Sequence, residues 1–497
     1  MKKLLMSLSV VVLFFACTAV SAGAVSNDMV KVGLRYGSSA LFSANLENAV
    51  GYGYEVGYYD EGREFQSLGY LDETTISMTA AGTIYMNSSG TYSASVPSGS
   101  YRTMGAWHGE VTGFRDFDEA ADAARDYDGY PAWVNGEFVV RIGCVDSREE
   151  AEELLDDAGA RGSAVRSSSS GVLVTVTGTT QVLFEFDGSG IWNLGVLPDG
   201  RGEESVTWFK GCRYLGGFEY PRTTGGNLSV VNVLDLEQYV RGVVPYEMPG
   251  TWPLEALKAQ AVAARTYTLY KMITGGNHGD TADICTDSTC CQAYLSEEQA
   301  LENWGDNAGA YQAKIRTAVK ETDGECILYG GVPILAVFHS SSAGQTRAAG
   351  EVWLSDLPYL QPVTSPEQGD AIPNYYSRAD FTAQEFREKV LSSYPEADLS
   401  GTPDTWLTDA VTDSAGSVET VSIGGVTLKG ATVRSLLGLR SACFEWETSA
   451  DGITFYVTGF GHGVGMSQYG ANQMAVDGAD YREILTHYYT CLLYTSD

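Results

Sequence analysis

The amino-acid sequence predicts an α+β protein, a strand-rich body with a few helices that also carries a small α/β module. Three observations lead there. Over residues 29–103, apolar and polar residues alternate among many glycines, tyrosines and serines (KVGLRYG, YGYEVGYYDEG, TISMTAAGTIYM), the vocabulary of strands and turns. The period then turns helical in FDEAADAARDY and SREEAEELLDDAGARG, beside the strands GEFVVRIGCV and GVLVTVTG. Beyond about residue 180, strands dominate again (TTQVLFEFDG, NLSVVNVLDL) until a long helical run begins near Pro253.

Each element follows from its residues. The second helix of the module has a capping box, with Ser147 as N-cap and Glu150 three residues later, and Gly162 closes it. In VVPYEMPGTWPLEALKAQAVAARTY, residues 243–267, Pro253 stands in a first turn, where its missing N–H costs nothing. Leu254, Leu257, Ala261, Val262 and Ala264 then recur at helical spacing and predict one buried face.

A chain of 497 residues exceeds what one hydrophobic core usually organises, so two or three folded units are expected. The divisions read as a leader at 1–24, a strand-rich segment at 25–105, the α/β module at 109–178 and the main body at 180–497. The leader reading rests on Lys2 and Lys3, the apolar run 4–20 and the small residues Ala22 and Ala24, and it predicts an exported protein. No later run reaches about 18 apolar residues, so membrane contact is expected only through an uncleaved leader. Lys plus Arg number 31 against 63 Asp plus Glu, and the net charge of −32 argues against nucleic acid as a partner.

Two features carry chemistry. Glu247 is a lone carboxylate that reads as part of a loop stiffened by Pro245 and Pro249, among Val244, Tyr246, Met248 and Trp252. Apolar neighbours raise a carboxyl pKa toward the range of a general acid, while the nearby N-terminus of the following helix acts the other way. An N-terminal acid that only complements the helix dipole is the plainer reading. The second feature is HGDTADICTDSTCCQAY, with His278, Cys285, Cys290 and Cys291 close together. Two readings stand open here: soft ligands for a structural zinc, or a disulfide permitted by export.

The run LDLEQYVRGVVPYEMPGTWPLEALKAQAVAARTY is very similar to the signature of the stage II sporulation protein D family. The similarity continues through GECILYGGVPILAVFHSSSAGQTRAAGEVW, LPYLQPVTSP and GFGHGVGMSQYGANQMAVDGADYREILTHYYT, four separated blocks in order. EFVVRIG followed by SREEAEELL resembles a sporulation-related repeat (SPOR) domain, a family that binds peptidoglycan; a spacer inserted into a larger fold is the alternative.

The resemblance implies a lytic transglycosylase acting on bacterial cell-wall glycan stripped of its stem peptides, in sporulation, with the family's catalytic acid falling on Glu247. It also implies a second class of function, a non-catalytic amidase enhancer that binds glycan strands and stimulates a cell-wall amidase. Lys258 and Arg265, seven apart on one helical face, fall on polar positions of the first block, where they would bind substrate or form an ion pair. His339, Ser340 and Ser341 fall on the second block as a groove wall. His462, Ser467, Gln468 and Tyr469 are further groove candidates, unless GFGHGVGMSQYGA is only a tight turn into a helix. Relatives with a Cys-x5-Cys pair in the same insertion imply zinc, a spacing that Cys285 and Cys291 reproduce.

Overall fold

The computed structural model describes residues 29–490 and 493–495, apart from 203, 205, 277, 295–296, 354 and 368. The leader at 1–24 and Cys491 lie outside the described residues. The chain is mixed α+β and strand-rich, as its alternating pattern predicts.

Two large sheets dominate the first half. One runs Ile284–Cys285, Met29–Arg35, Val230–Asp235, Gly217–Tyr220, Leu194–Pro198, Tyr54–Tyr59 and Phe65–Leu71 in spatial order. Its strand VVNVLD is buried at its first five positions, the continuous apolar run expected of a strand covered on both faces. Strand 29–35 pairs antiparallel with it, Val32 opposite Asn232, so the start of the described chain is built into the sheet beneath the later helices.

The module contains α1 (Phe117–Asp126) and α2 (Arg148–Asp157) among the strands Trp107–Phe114, Gly129–Val134, Glu137–Val145 and Ser163–Arg166. The order β-α-β-β-α-β, with the strands arranged fourth, first, third, second, is a split βαβ arrangement. The periodicity marked two helices and two strands, of which GVLVTVTG (Val172–Val176) pairs instead with Thr75–Ala80 and Val182–Asp187; the structure adds Trp107–Phe114, Gly129–Val134 and Ser163–Arg166 to the module. The capping box of α2 forms as read: Glu150 N donates to Ser147 Oγ at 3.2 Å, and Ser147 N donates to Glu150 Oε2 at 3.2 Å. Strand 129–134 also pairs in parallel with Val182–Asp187, so the sheet of the module runs on into the body as a ten-stranded sheet among the described residues.

The second half is helical at its centre, with α3 (Leu236–Glu247), α4 (Leu254–Thr274), α5 (Glu297–Trp304), α6 (Ala308–Lys320) and α7 (Ala349–Val352). A smaller unit follows, with α8 (Ala383–Ser393) and α9 (Gly430–Leu437) on the strands Tyr376–Thr382, Leu407–Thr412, Val418–Ile423, Val426–Lys429, Phe444–Thr448 and Gly452–Thr458. It has its own core of Phe386, Trp406, Val421 and Phe455. The chain then returns as α10 (Gln468–Val476) and α11 (Tyr481–Tyr488), which pack against α4.

Helix α4 organises this half. The spacing predicts one buried face, whereas Ala256, Leu257, Ala259 and residues 261–264 are all fully buried. The reason is its alanines, which let α3, α6, α10 and α11 approach from different sides. Gly275, at φ 81°, ends the helix in the left-handed conformation that favours glycine.

Candidate active site and metal cluster

Asp235 starts α3, its carboxylate accepting from Gln238 N at 3.0 Å. The helix runs to Glu247 and includes Pro245, which lacks the donor that would bond the Arg241 carbonyl and sits in the last turn, where that loss is small. This corrects the loop reading of Glu247: the residue is the C-terminal residue of a helix. The negative end of the α3 dipole therefore faces its carboxylate, and the N-terminus of α4 lies seven residues further on. Burial pushes the Glu247 carboxyl above its usual value, against two hydrogen bonds that stabilise the anion.

Those two donors come from distant parts of the chain. Gln468 Nε2 donates to Glu247 Oε2 at 2.9 Å, and the backbone N–H of Ala293 donates as well. Gln468 is the first residue of α10, whose N-cap Ser467 accepts from Gly470 N at 3.2 Å. The second and fourth sequence blocks meet just before it, where Phe338–His339 pairs in parallel with Met466–Ser467. Tyr469 N donates to Ser340 O at 3.0 Å, and the Tyr469 ring stands edge-on to Trp252 at 4.9 Å. The glycine-rich run is thus a strand-to-helix junction against Glu247. A Cβ on Gly470 would lie 2.0 Å from Tyr488 Oη, and one on Gly461 2.6 Å from His339 Cβ.

Other candidates take different places. His339 is buried, with Nδ1 3.1 Å from Val464 O, and burial pushes its imidazole down to about 4. His462 is pushed well below its ordinary value by burial, and its ring packs on Trp353 at 5.2 Å. Burial thus favours the neutral imidazole at both positions. Ser341 is buried and its backbone pairs with Phe460. The Lys258 ammonium is engaged by Glu255 at 2.9 Å and Glu321 at 2.8 Å. Arg265, 1% exposed, donates through Nε and Nη2 to both carboxylate oxygens of Glu237 at 2.5 Å, and through Nη1 to Glu325 O at 3.0 Å. Both side chains are thus engaged in ion pairs with carboxylates of the protein.

Sequence reasoning missed Glu367, a mostly buried carboxylate that follows Ser365 and Pro366. Ser342 N and Ser342 Oγ donate to it at 2.7 and 2.8 Å, and so does Ser467 Oγ. A lone glutamate in a polar loop gives no periodic or motif signal. The Ala293 amide is a backbone group and equally silent in sequence.

The cluster residues do converge. One ligand atom from each of His278, Cys285, Cys290 and Cys291 lies within 4.8 Å of all the others, a group that could hold a metal ion. His278 Nε2 is 3.3 Å from Cys291 Sγ and 3.7 Å from Cys290 Sγ. The two adjacent sulfurs are 3.8 Å apart, far from the roughly 2.05 Å of a disulfide, and no disulfide joins the described cysteines. A hydrogen bond from Cys291, opposed by burial, brings the Cys285 thiol down to about 5. The loop then passes through buried Gln292, whose amide donates to Thr268 Oγ1 at 2.9 Å, to the Ala293 N–H on Glu247.

Residues 224–329 match the family profile described as stage II sporulation protein. Over 264 residues, 53% of this chain and 75% of the relative, the chain is 41% identical to the stage II sporulation protein D of Bacillus subtilis (strain 168). It is 40% identical to the stage II sporulation protein D of Bacillus amyloliquefaciens, over 53% of this chain and 74% of that one. It is also 32% identical, over 52% of this chain and 40% of the relative, to the amidase enhancer of Bacillus subtilis (strain 168). With 41% and 40% identity to two relatives covered over 75% and 74% of their length, the chain belongs to the stage II sporulation protein D family.

Proposed function

We propose that this protein is a peptidoglycan lytic transglycosylase in which Glu247 serves as both acid and base. The observation that carries this reading is one buried carboxyl, raised by burial, whose hydrogen-bond partners are the neutral Gln468 amide and Ala293 N–H. A carboxyl of this kind holds its proton nearer neutral pH than an exposed one and can give it up in the transition state.

The reaction closes on one such group. Protonated Glu247 donates to the oxygen between MurNAc C1 and GlcNAc, the C1–O bond breaks and GlcNAc leaves as an alcohol. The Glu247 carboxylate then takes the proton of the MurNAc 6-hydroxyl, whose oxygen bonds to C1 as a 1,6-anhydro ring. The enzyme ends protonated, as it began. No water enters, so the second carboxylate that activates water in an inverting glycosidase has no task here.

The metal cluster fits zinc. Tetrahedral bonds of about 2.0–2.3 Å space the ligand atoms about 3.3–3.8 Å apart; the separations among His278, Cys290 and Cys291, 3.3, 3.7 and 3.8 Å, fall there, and Cys285 brings its sulfur within 4.8 Å of all three. Four protein donors make a closed, structural site. His278, Cys285, Cys290 and Cys291 would hold the ion and fix the loop that leads to Ala293. The protein would act outside the membrane on stem-free glycan strands, and the module at 109–178 would add a second hold on glycan.

The amidase-enhancer reading is favoured by one observation, the similarity to a relative of that name. Digestion of amidase-treated, stem-free strands with the wild type and with Glu247→Gln, followed by mass spectrometry, separates the two. Anhydro-MurNAc ends from the wild type alone support the transglycosylase. No cleavage by either, together with faster amidase action on intact peptidoglycan, supports the enhancer.

A further inference from the structure

Glu367 belongs to neither the sequence blocks nor the chemistry above, yet it lies one residue's reach from it. Its two oxygens accept from three donors, Ser467 Oγ, Ser342 N at 2.7 Å and Ser342 Oγ at 2.8 Å, and the Gly344 N–H, which donates to Ser342 Oγ at 3.2 Å, also favours the anion. Two carboxylate oxygens offer about four acceptor positions, and these protein donors take up most of them. A second acid or base is therefore not the role its contacts favour.

Its connections point elsewhere. Ser467 is fully buried and caps α10. The next residue is Gln468, which donates to Glu247. Through Glu367 the loop at 340–344, the loop at 365–367 and the first turn of α10 are tied at one point, next to the parallel pairing of His339 with Ser467. The Ser365 hydroxyl bonds Tyr488 Oη at 2.6 Å and anchors the same loop to α11. The anion is also favoured at this place by the positive end of the α10 dipole.

We propose that Glu367 is a positioning residue for the acid/base glutamate: its carboxylate locks the Ser467 cap and so aims the Gln468 amide at Glu247. The inference rests on the reading of Glu247 given above. A carboxylate is required because all its partners donate. The amide of a glutamine would turn N–H groups toward the Ser342 N–H, and an aspartate would fall short of it.

The test reads Glu247 directly. In protein labelled with 13C-glutamate, the carboxyl signal of Glu247 is identified by its loss in Glu247→Gln and followed against pH in wild type, Glu367→Gln, Gln468→Ala and the double variant. Burial raises the Glu367 carboxyl, and the phenols of Tyr375 and Tyr488 face it, so its own signal is followed in parallel. The expected result is an upward move of the Glu247 midpoint in each single variant and no further move in the double variant, because both remove one interaction. On stem-free strands, Glu367→Gln should lower kcat about tenfold with KM unchanged, one hydrogen bond's worth of transition-state free energy. An unmoved Glu247 midpoint in Glu367→Gln, or additive shifts in the double variant, would overturn the proposal. If Glu367→Gln does not fold, Ser467→Ala carries the same comparison by cutting the link at its other end. The titration needs no turnover: a wild type that cleaves nothing refutes the function, whereas an unmoved midpoint refutes the positioning.

Discussion

Arg265 decides whether the long central helix supports the site or lines it. Its guanidinium is 1% exposed and grips both oxygens of Glu237, in the first turn of the helix that ends at Glu247, and it also holds the Glu325 carbonyl on the strand Glu325–Tyr329. The pair is a strut that sets the angle between α3 and α4. Arg265→Met removes one partner and leaves a carboxylate and a carbonyl without their donors. Breaking a buried pair this way costs about 3–5 kcal/mol. Glu237 retains 26% side-chain exposure and can turn toward water, which places the expected loss near the lower end, about 3 kcal/mol. Urea denaturation followed by tryptophan fluorescence and circular dichroism gives the loss, and a glycan pull-down at 10 °C gives binding by the folded fraction. The expected result is a lower midpoint with binding intact, and recovery of most of the stability in Arg265→Met/Glu237→Met, where both charges are gone. A wild-type midpoint with lost glycan binding would refute the strut and return Arg265 to the groove.

The remaining predictions follow from particular contacts. Because burial raises the Glu247 carboxyl, the folded state binds its proton more tightly than the unfolded chain, and the stability this confers is lost as pH rises through the folded value. Glu247→Gln should therefore melt above wild type at pH 7, and the gap should narrow as pH falls to about 4, the ordinary glutamate value. His339 has the opposite sign: with its imidazole brought down to about 4, stability is lost as pH falls from about 6.5 toward that value, and His339→Asn should flatten this part of the melting profile. Gly470→Ala places a Cβ 2.0 Å from Tyr488 Oη and 2.1 Å from Ser365 Oγ, and should cost about 1–3 kcal/mol in thermal melts by overpacking. Protein purified without chelator should release about one zinc per chain on denaturation in a dye assay, and Cys285→Ser should release less and melt lower.

The residues that were legible in sequence share a cause. The capping box of α2, the start of α4 near Pro253 and the convergence of His278, Cys285, Cys290 and Cys291 are set by neighbours a few positions away. So is the identity of Glu247, which sits in a block dense enough to be recognised. The environment of Glu247 was not legible. Whether it ends a helix or lies on a loop depends on α3 continuing through Pro245, and Val240, Val243 and Val244 are β-branched residues that packing against α4 holds in that helix. The two donors on Glu247 lie 46 and 221 positions further along the chain, and one of them is a backbone amide. Lys258 and Arg265 show the limit of helical spacing: it places two cations on one face and says nothing of the carboxylates that meet them. The smaller unit with its own Phe386 and Trp406 core has the same alternating texture as the body around it, which is why 180–497 reads as one stretch.

The central claim is that one carboxyl cleaves the glycan without water. The most direct test is digestion of stem-free strands in H2 18O, with the masses of the new MurNAc ends read by mass spectrometry. The account predicts anhydro ends with no 18O from the wild type and no new ends from Glu247→Gln. MurNAc reducing ends that carry one 18O, or equal cleavage by Glu247→Gln, would contradict it.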